Sequence, residues 1–425
     1  MQFVKNGPDI PEKLLQAHED GNVVFFCGAG ISYPAGLPGF QGLTKNIYAD
    51  LGVTPNPIQQ AALKKWQFDM AIDLLERDYP GRRKDVRNAL ANNLIPDLAK
   101  PSATATHRAL LTLAKNRKGK TRLVTTNFDR LFEEVIGTKS ISLERFQAPL
   151  IPVPKQRWDS LIYLHGLLPS GTATENELDR LVVSSGDFGL AYLTERWAAR
   201  FVSELFRNFI VCFVGYSLND PVLRYMTDAL AADQMMGESS PEMFSFDVYS
   251  RGKQGQRANE WHAKNVTPIL YKAFKHHYYL HKTLHTWSEI YRDGAQGKES
   301  IVVQHAMARP QGSTKQDDFV GRMVWALSDP SGLPAKRFAE INPAPPLDWL
   351  APLIEQHFAH DDLVRFGIQP QPQKDNKLKF SMMARPALYT HAQWMSLVYG
   401  QVSQTRLDDV MAQLAHWLLR HLNNP

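Results

Sequence analysis

Short runs of consecutive apolar residues punctuate the first two thirds of the chain. They fall at 22–28 (NVVFFCG), 122–127 (RLVTTN), 160–166 (SLIYLHG), 180–185 (RLVVSS), 209–215 (FIVCFVG), 243–249 (MFSFDVY) and 266–271 (VTPILY). Most are unbroken rather than alternating, and rich in β-branched and aromatic residues. That pattern suits strands covered on both faces. Helical spacing fills several gaps between them, at 11–20, 105–116, 128–137 and 193–208, and again at 276–294. Strand, helix and strand with short links predict an α/β fold with a mostly parallel, Rossmann-like sheet.

Beyond about residue 296 the pattern changes. The segments 317–329, 345–360, 391–400 and 405–422 have helical spacing, and a polar stretch containing Pro and Gln (366–384) lies among them. Gly, Ser, Gln and Pro collect at 296–312. The reading is therefore a domain over 1–296 and a smaller, mainly helical C-terminal domain over 297–425. Trp349, Trp394 and Trp417 are either anchors for assembly or a partner, or simply the core of that small domain.

Composition narrows the chemistry. The 425 residues carry a formal charge of +5, and no segment concentrates Lys and Arg into a nucleic-acid arm. No apolar run approaches the roughly 20 residues of a membrane span, and the first residues lack the apolar core of a signal peptide. A cytoplasmic protein is expected. The two cysteines, Cys27 and Cys212, lie in apolar runs and read as buried thiols. Two thiols exclude both a disulfide framework and a four-thiolate zinc site.

Candidate chemistry collects at the ends of the apolar runs, where open α/β sheets bind ligands. The first run enters Gly28-Ala29-Gly30-Ile31-Ser32. Glycines there allow either a tight turn or the close approach of a pyrophosphate to bare backbone. The following GISYPAGLPGF reads as a long ordered loop. Thr125, Thr126, Asn127 and Asp129 crowd the end of the second run, where Asn127 or Asp129 can equally cap the next helix. His165 ends the third run, as a buried ring or as a general base. Gly215, Ser217, Asn219 and Asp220 precede Pro221, as a helix cap or as donors to ribose and phosphate. Asp187 is a further acidic candidate, and His107 lies on an apolar helical pattern that suggests packing.

Taken in order, GAGIS, TTNFD, YLHG and GYSLND resemble the sirtuin fold, over about residues 10–285. The form VTTNFDRLFE, YLHG and FVGYSLNDP is most similar to bacterial sirtuin-like proteins of antiviral defence. The resemblance implies that Gly28, Ala29, Gly30 and Ser32 hold NAD phosphates, with Thr126 and Gly215 beside the cofactor. It assigns Asn127 and Asp129 to the nicotinamide ribose and the amide end, His165 to catalysis, and Ser217 and Asn219 to the adenosine end. Protein-deacylating sirtuins carry a zinc module with two CxxC pairs after the His-Gly. This chain has no CxxC, and residues 167–182 are too few to replace that module. No zinc is expected. What the resemblance then implies is an NAD hydrolase that depletes NAD during infection, with water as acceptor. A protein deacylase, an ADP-ribosyltransferase or a non-catalytic NAD-binding module are the competing readings. Control by homo-oligomerisation or by a partner is implied: a HerA-type ATPase, an Argonaute-like protein or a phage protein.

Overall fold

A seven-stranded sheet runs through the first part of the chain. In a computed structural model, its strands are β1 (Val23–Cys27), β2 (Arg122–Thr125), β3 (Arg145–Gln147), β4 (Ser160–Tyr163), β5 (Ile210–Val214), β6 (Met243–Tyr249) and β7 (Val266–Lys272). The structure describes residues 1–78, 82–171, 174–218, 220, 223, 225–226, 241–329, 331–354 and 406–422. Strand order is β3-β4-β2-β1-β5-β6-β7, and every pairing is parallel. The α/β expectation holds. β1, β2 and β4 are buried at every position, which is why they read as unbroken apolar runs. β7 is an edge strand and carries Pro268, whose missing N–H an edge tolerates.

The order places β1 centrally. The chain moves to one side of it through β2, β3 and β4, and then crosses back to β5 on the other side. The ends of β1 and β5 thus form the point where an open sheet leaves a crevice.

Two strand expectations need correction. RLVVSS (180–185) is not a strand: it runs as an extended strap whose Val182 N–H bonds the His165 carbonyl at 3.0 Å. β3 was invisible in the pattern because its three edge residues, Arg145, Phe146 and Gln147, include one apolar side chain. The stretch 29–40 is also more regular than a loop: Ala29–Ala35 is a 3₁₀ helix, and Phe40 opens a helix.

Helices α1 (Glu12–Glu19), α2 (Phe40–Asp50), α3 (Pro57–Lys64), α4 (Phe68–Arg77), α5 (Arg82–Asn93) and α6 (Ala105–Ala114) come before β2. α3 starts with a capping box, Asn56 with Gln59, and Pro57 in its first turn. Leu43 and Ile47 of α2, Ile72 and Leu75 of α4, and Val86 and Leu90 of α5 share one buried cluster with Leu178 of the short helix Glu175–Asp179 and with Leu181 and Val183 of the strap. These helices and the strap make a helical cap.

Buried charge locks the strap to the cap. Arg87, with its side chain 1% exposed, pairs with Glu76 at 2.6 Å and with Asp187, and donates to the Leu181 carbonyl at 2.7 Å. Asp187 also accepts from the Val183 and Ser184 N–H groups. Burial alone would raise the Asp187 carboxyl. Arg87, the Ser184 N–H and Arg83 outweigh it and hold the group at about 2. Asp187 is therefore a structural anion.

Contacts divide the chain between His285 and Thr286, inside the helix Tyr278–Asp293. The second unit comprises Thr286–Pro425 together with Met1–Gly7. The first residues join it because Phe3 stacks on Trp287 and meets the edge of Trp325, and because Arg322 donates to the Gln2 carbonyl at 3.0 Å. Residues 295–305, part of the expected linker, are helical. Trp349 and Trp417 are fully buried, their indoles donating to the Ala306 and Pro345 carbonyls, so they are core rather than surface anchors. Trp394 lies outside the described residues.

The ion cluster gives a graded expectation. Arg87→Met leaves Glu76 and Asp187 buried without their main cation and should cost about 3–5 kcal/mol. Arg83→Ala, whose side chain is 37% exposed, should cost under about 1 kcal/mol. Urea unfolding of the two variants checks this, and equal losses would mean that burial does not govern the cluster.

Candidate active site

One cleft lies beyond the carboxyl ends of β1, β2, β4 and β5, and it holds about 580 Å³ counting its open mouth. Ala29, Ser32, Thr126, Asn127, Asp129 and His165 all line it. Residues from three separate segments therefore meet at one place.

Ser32 is the hub. Its hydroxyl has one proton, which goes to Asp129 Oδ2 at 2.8 Å. Its lone pairs accept from Asn127 Nδ2 at 3.1 Å and face His107 Nε2 at 3.4 Å. Asp129 Oδ1 accepts the Leu131 N–H at 3.1 Å, which starts helix α7 (Leu131–Lys139). The capping and site readings of Asp129 are thus both realised, one on each oxygen. Burial raises the Asp129 carboxyl, and bonds from Ser32, Leu131 and Asn127 oppose the rise.

His107 is more than a packing residue. Its ring meets Phe132 edge-on at 4.7 Å, is fully buried, and is held neutral by that burial, at about 3. The sequence signal available for it was its position on α6, facing inward, and nothing local tied it to Ser32.

His165 is 1% exposed, and its Nε2 is bonded to the Tyr192 hydroxyl at 3.0 Å. Burial lowers the ring to about 3, against a smaller opposing pull from Asp187. The imidazole is neutral at physiological pH, because burial disfavours its charged form. Phe188 meets it edge-on at 5.1 Å and stacks on Tyr225 at 4.8 Å. Tyr192 sits in a wide-turned helical segment, Gly189–Thr194, after the short helix Ser185–Phe188. Phe188, Val182 and Asp220 also line the cleft, and Val182 was missed because RLVVSS reads as a strand.

The glycines stand behind the cleft wall. The Gly28 and Gly30 N–H groups donate to the Val214 and Gly215 carbonyls, both at 2.9 Å, and the Ile31 N–H to the Gly28 carbonyl at 3.2 Å. A Cβ on Gly30 would lie 2.8 Å from Gly215 Cα. Gly215 itself has φ +80° and its Cβ would lie 2.7 Å from the Ile31 nitrogen. Backbone meeting backbone at Gly30 and Gly215, and the Tyr216 ring beside Gly28, account for the bare residues at this turn. Thr126 donates to the Tyr216 hydroxyl at 2.6 Å, which reaches the Cys27 carbonyl at 3.3 Å, bracing the same junction. Ser217 is exposed and is not among the lining residues. Asn219 lies outside the described residues. Among the described residues, no group of three or more His, Cys, Asp or Glu is placed to hold a metal ion, and no helix is long and apolar enough to cross a membrane.

Residues 121–269 match the SIR2-like domain. The SIR2-like segment includes β2, Asn127, Asp129, His165 and the end of β5, whereas Gly28–Ser32 precede it and join by the contacts above. The chain is also similar to the uncharacterized protein y4cA of Sinorhizobium fredii (strain NBRC 101917 / NGR234), 34% identical over 275 residues. The match covers 62% of this chain and 22% of that protein, so the chain spans about a fifth of its relative's length.

Two measurements probe this geometry. Gly30→Ala should lower stability by about 1–3 kcal/mol without any ligand, since it overpacks backbone; unchanged urea unfolding would show that the junction yields. The buried rings of His18, His107 and His165 sit at about 4, 3 and 3, below the ordinary 6.5. As pH falls below about 6.5, the unfolded chain takes up protons that the native state refuses. Stability is therefore complete above that pH and declines below it, by up to about 1.4 kcal/mol per pH unit for each ring. Denaturant midpoints at pH 7.5, 6 and 5 check this, and a flat profile would contradict it.

Proposed function

We propose that this chain is an NAD hydrolase, releasing nicotinamide and ADP-ribose. The observation that carries the reading is the convergence of Ser32, Asn127, Asp129 and His165 on one cleft at the strand ends. The SIR2-like match points to NAD-dependent activity. NAD is the substrate, and its cationic nicotinamide needs no acid to leave. The sugar passes through an oxocarbenium-like state, as in glycoside hydrolysis. Asn127 would fix the ribose hydroxyls, Asp129 would oppose the developing positive charge, and neutral His165 would take a proton from ribose or water. Ala29 and Ser32 would face the phosphate side, with Gly28, Gly30 and Gly215 holding that wall in place.

Water is the proposed acceptor. The strap after His165 packs Leu168, Leu178 and Leu181 onto the cap, which supports a closed wall on that side. The proposed setting is antiphage defence by NAD depletion in the cytoplasm. An unrestrained NAD hydrolase would exhaust its own cell, so control by assembly into a homo-oligomer or by a partner belongs to the proposal. A HerA-type ATPase is the proposed partner, ahead of an Argonaute-like protein or a phage protein.

The test is NAD consumption by the purified chain, alone and with the product of a neighbouring gene. His165→Ala should reduce nicotinamide release by about 10²-fold or more while leaving the unfolding transition cooperative. Wild-type turnover in that variant would remove His165 from the chemistry. Lysine-peptide deacylation without free ADP-ribose would instead favour a deacylase.

A further inference from the structure

We infer that His107 is a positioning residue of the cleft: through Ser32 it holds the Asn127 amide with its oxygen toward the ligand, so that this point receives a group that donates, a sugar hydroxyl. That the hydroxyl belongs to a ribose rests on the NAD-cleavage reading above.

The hydrogens of the network run one way. Asp129 accepts on both oxygens, from Ser32 at 2.8 Å and from the Leu131 N–H at 3.1 Å. A hydroxyl has a single hydrogen, so Ser32 has only lone pairs left. Both of its remaining neighbours must donate to them. Asn127 does so through Nδ2 at 3.1 Å, and His107 faces the same oxygen with Nε2 at 3.4 Å. A neutral imidazole has one N–H, and the network assigns it to Nε2. The other tautomer fails twice. It would set the Nε2 lone pair against a lone pair of Ser32. It would also strand an N–H on Nδ1, which is buried and has no partner among the described residues. A buried acceptor left bare is tolerated better than a buried N–H without an acceptor.

The consequence reaches the cleft through Asn127. Its nitrogen is engaged by the wall, which leaves Oδ1 for whatever the cleft holds. An amide oxygen only accepts, so it suits a hydroxyl or water and turns away a phosphate oxygen or a carbonyl. His107 is itself fixed, being fully buried with its ring edge-on to Phe132 at 4.7 Å. The backbone of Asn127 is held separately. Its N–H donates to Thr125 Oγ1 at 3.1 Å, and that hydroxyl donates to the Cys27 carbonyl at 3.2 Å. Loss of the His107 hydrogen should therefore leave the loop in place and free the Ser32 hydroxyl and the Asn127 amide to turn.

Two measurements on the full chain test this. The first is NMR of isotope-labelled histidine at neutral pH, with His107 identified by the signal that its substitution removes. The ring should carry its proton on Nε2. A proton on Nδ1, or on both nitrogens, would overturn the inference whether or not the chain cleaves NAD. The second is nicotinamide release from NAD. His107→Phe keeps a ring against Phe132 and should reduce kcat by about 10-fold, with KM for NAD held within about twofold. Gln brings an amide nitrogen close to the place of Nε2, whereas Asn reaches only that of Nδ1. His107→Gln should thus recover most of the lost rate, and His107→Asn should not. Equal rates for the Gln and Asn variants, or an unchanged kcat in His107→Phe, would reduce His107 to packing. If one variant does not fold, the others and the tautomer decide. Wild-type chain that releases no nicotinamide would overturn the NAD-cleavage reading, and the tautomer would still decide the case of His107.

Discussion

A carboxylate as deeply buried as Asp129 has to be surrounded by donors, and meeting that requirement organises this site. Ser32 supplies one hydrogen from the segment after β1, and the first turn of α7 supplies another from the chain after β2. Asn127 then reaches the same hydroxyl from within its own loop. Satisfying one anion therefore fixes two strand ends, a helix start and an amide at once. Leaving such a group unsatisfied is far costlier than making any single bond is favourable, so the arrangement holds as a set.

Around that set the chain builds two kinds of wall. On the β1–β5 side Gly30 and Gly215 meet backbone to backbone and the Tyr216 ring lies against Gly28, at distances that exclude a Cβ. On the other side it is aromatic and charged: His165 and Phe188 line the cleft with Tyr192 packed against both, and the Arg87 cluster ties the strap to the cap outside it. The first wall is stiff where Gly30 and Gly215 meet without side chains between them. The second depends on ion pairs removed from water, which hold only while every partner is present.

Much of this was legible in the residues. Unbroken apolar runs identified six of the seven strands, because central parallel strands are buried on both faces. Chemistry-bearing residues at strand ends located Ser32, Asn127, Asp129 and His165, because parallel sheets gather their carboxyl ends along one edge. Other features depended on contacts between distant residues. Val182 and Val183 look like strand residues, yet the Arg87–Asp187 pair, set by residues a hundred positions apart, draws them onto the helical cap. His107 reads as packing because its partner, Ser32, is 75 positions away. The bare turn at Gly28–Gly30 left a tight turn and a ligand both open, and the Gly215 backbone and the Tyr216 ring occupy the space a Cβ would take.

The Arg87 cluster also carries an ordering in time. Glu76 and Arg87 leave the ribosome well before Asp187, since chains are made from the N-terminus. Until residue 187 emerges, the arginine has one of its two carboxylates, and the strap that closes the cleft beside His165 has no anchor. A chain interrupted before that point holds Ser32, Asn127, Asp129 and His165 in its sequence but lacks the charge that fastens the wall around them. Fastening of the strap is thereby deferred until residue 187 has been made, and the β5 side of the cleft, with Gly215, comes later still.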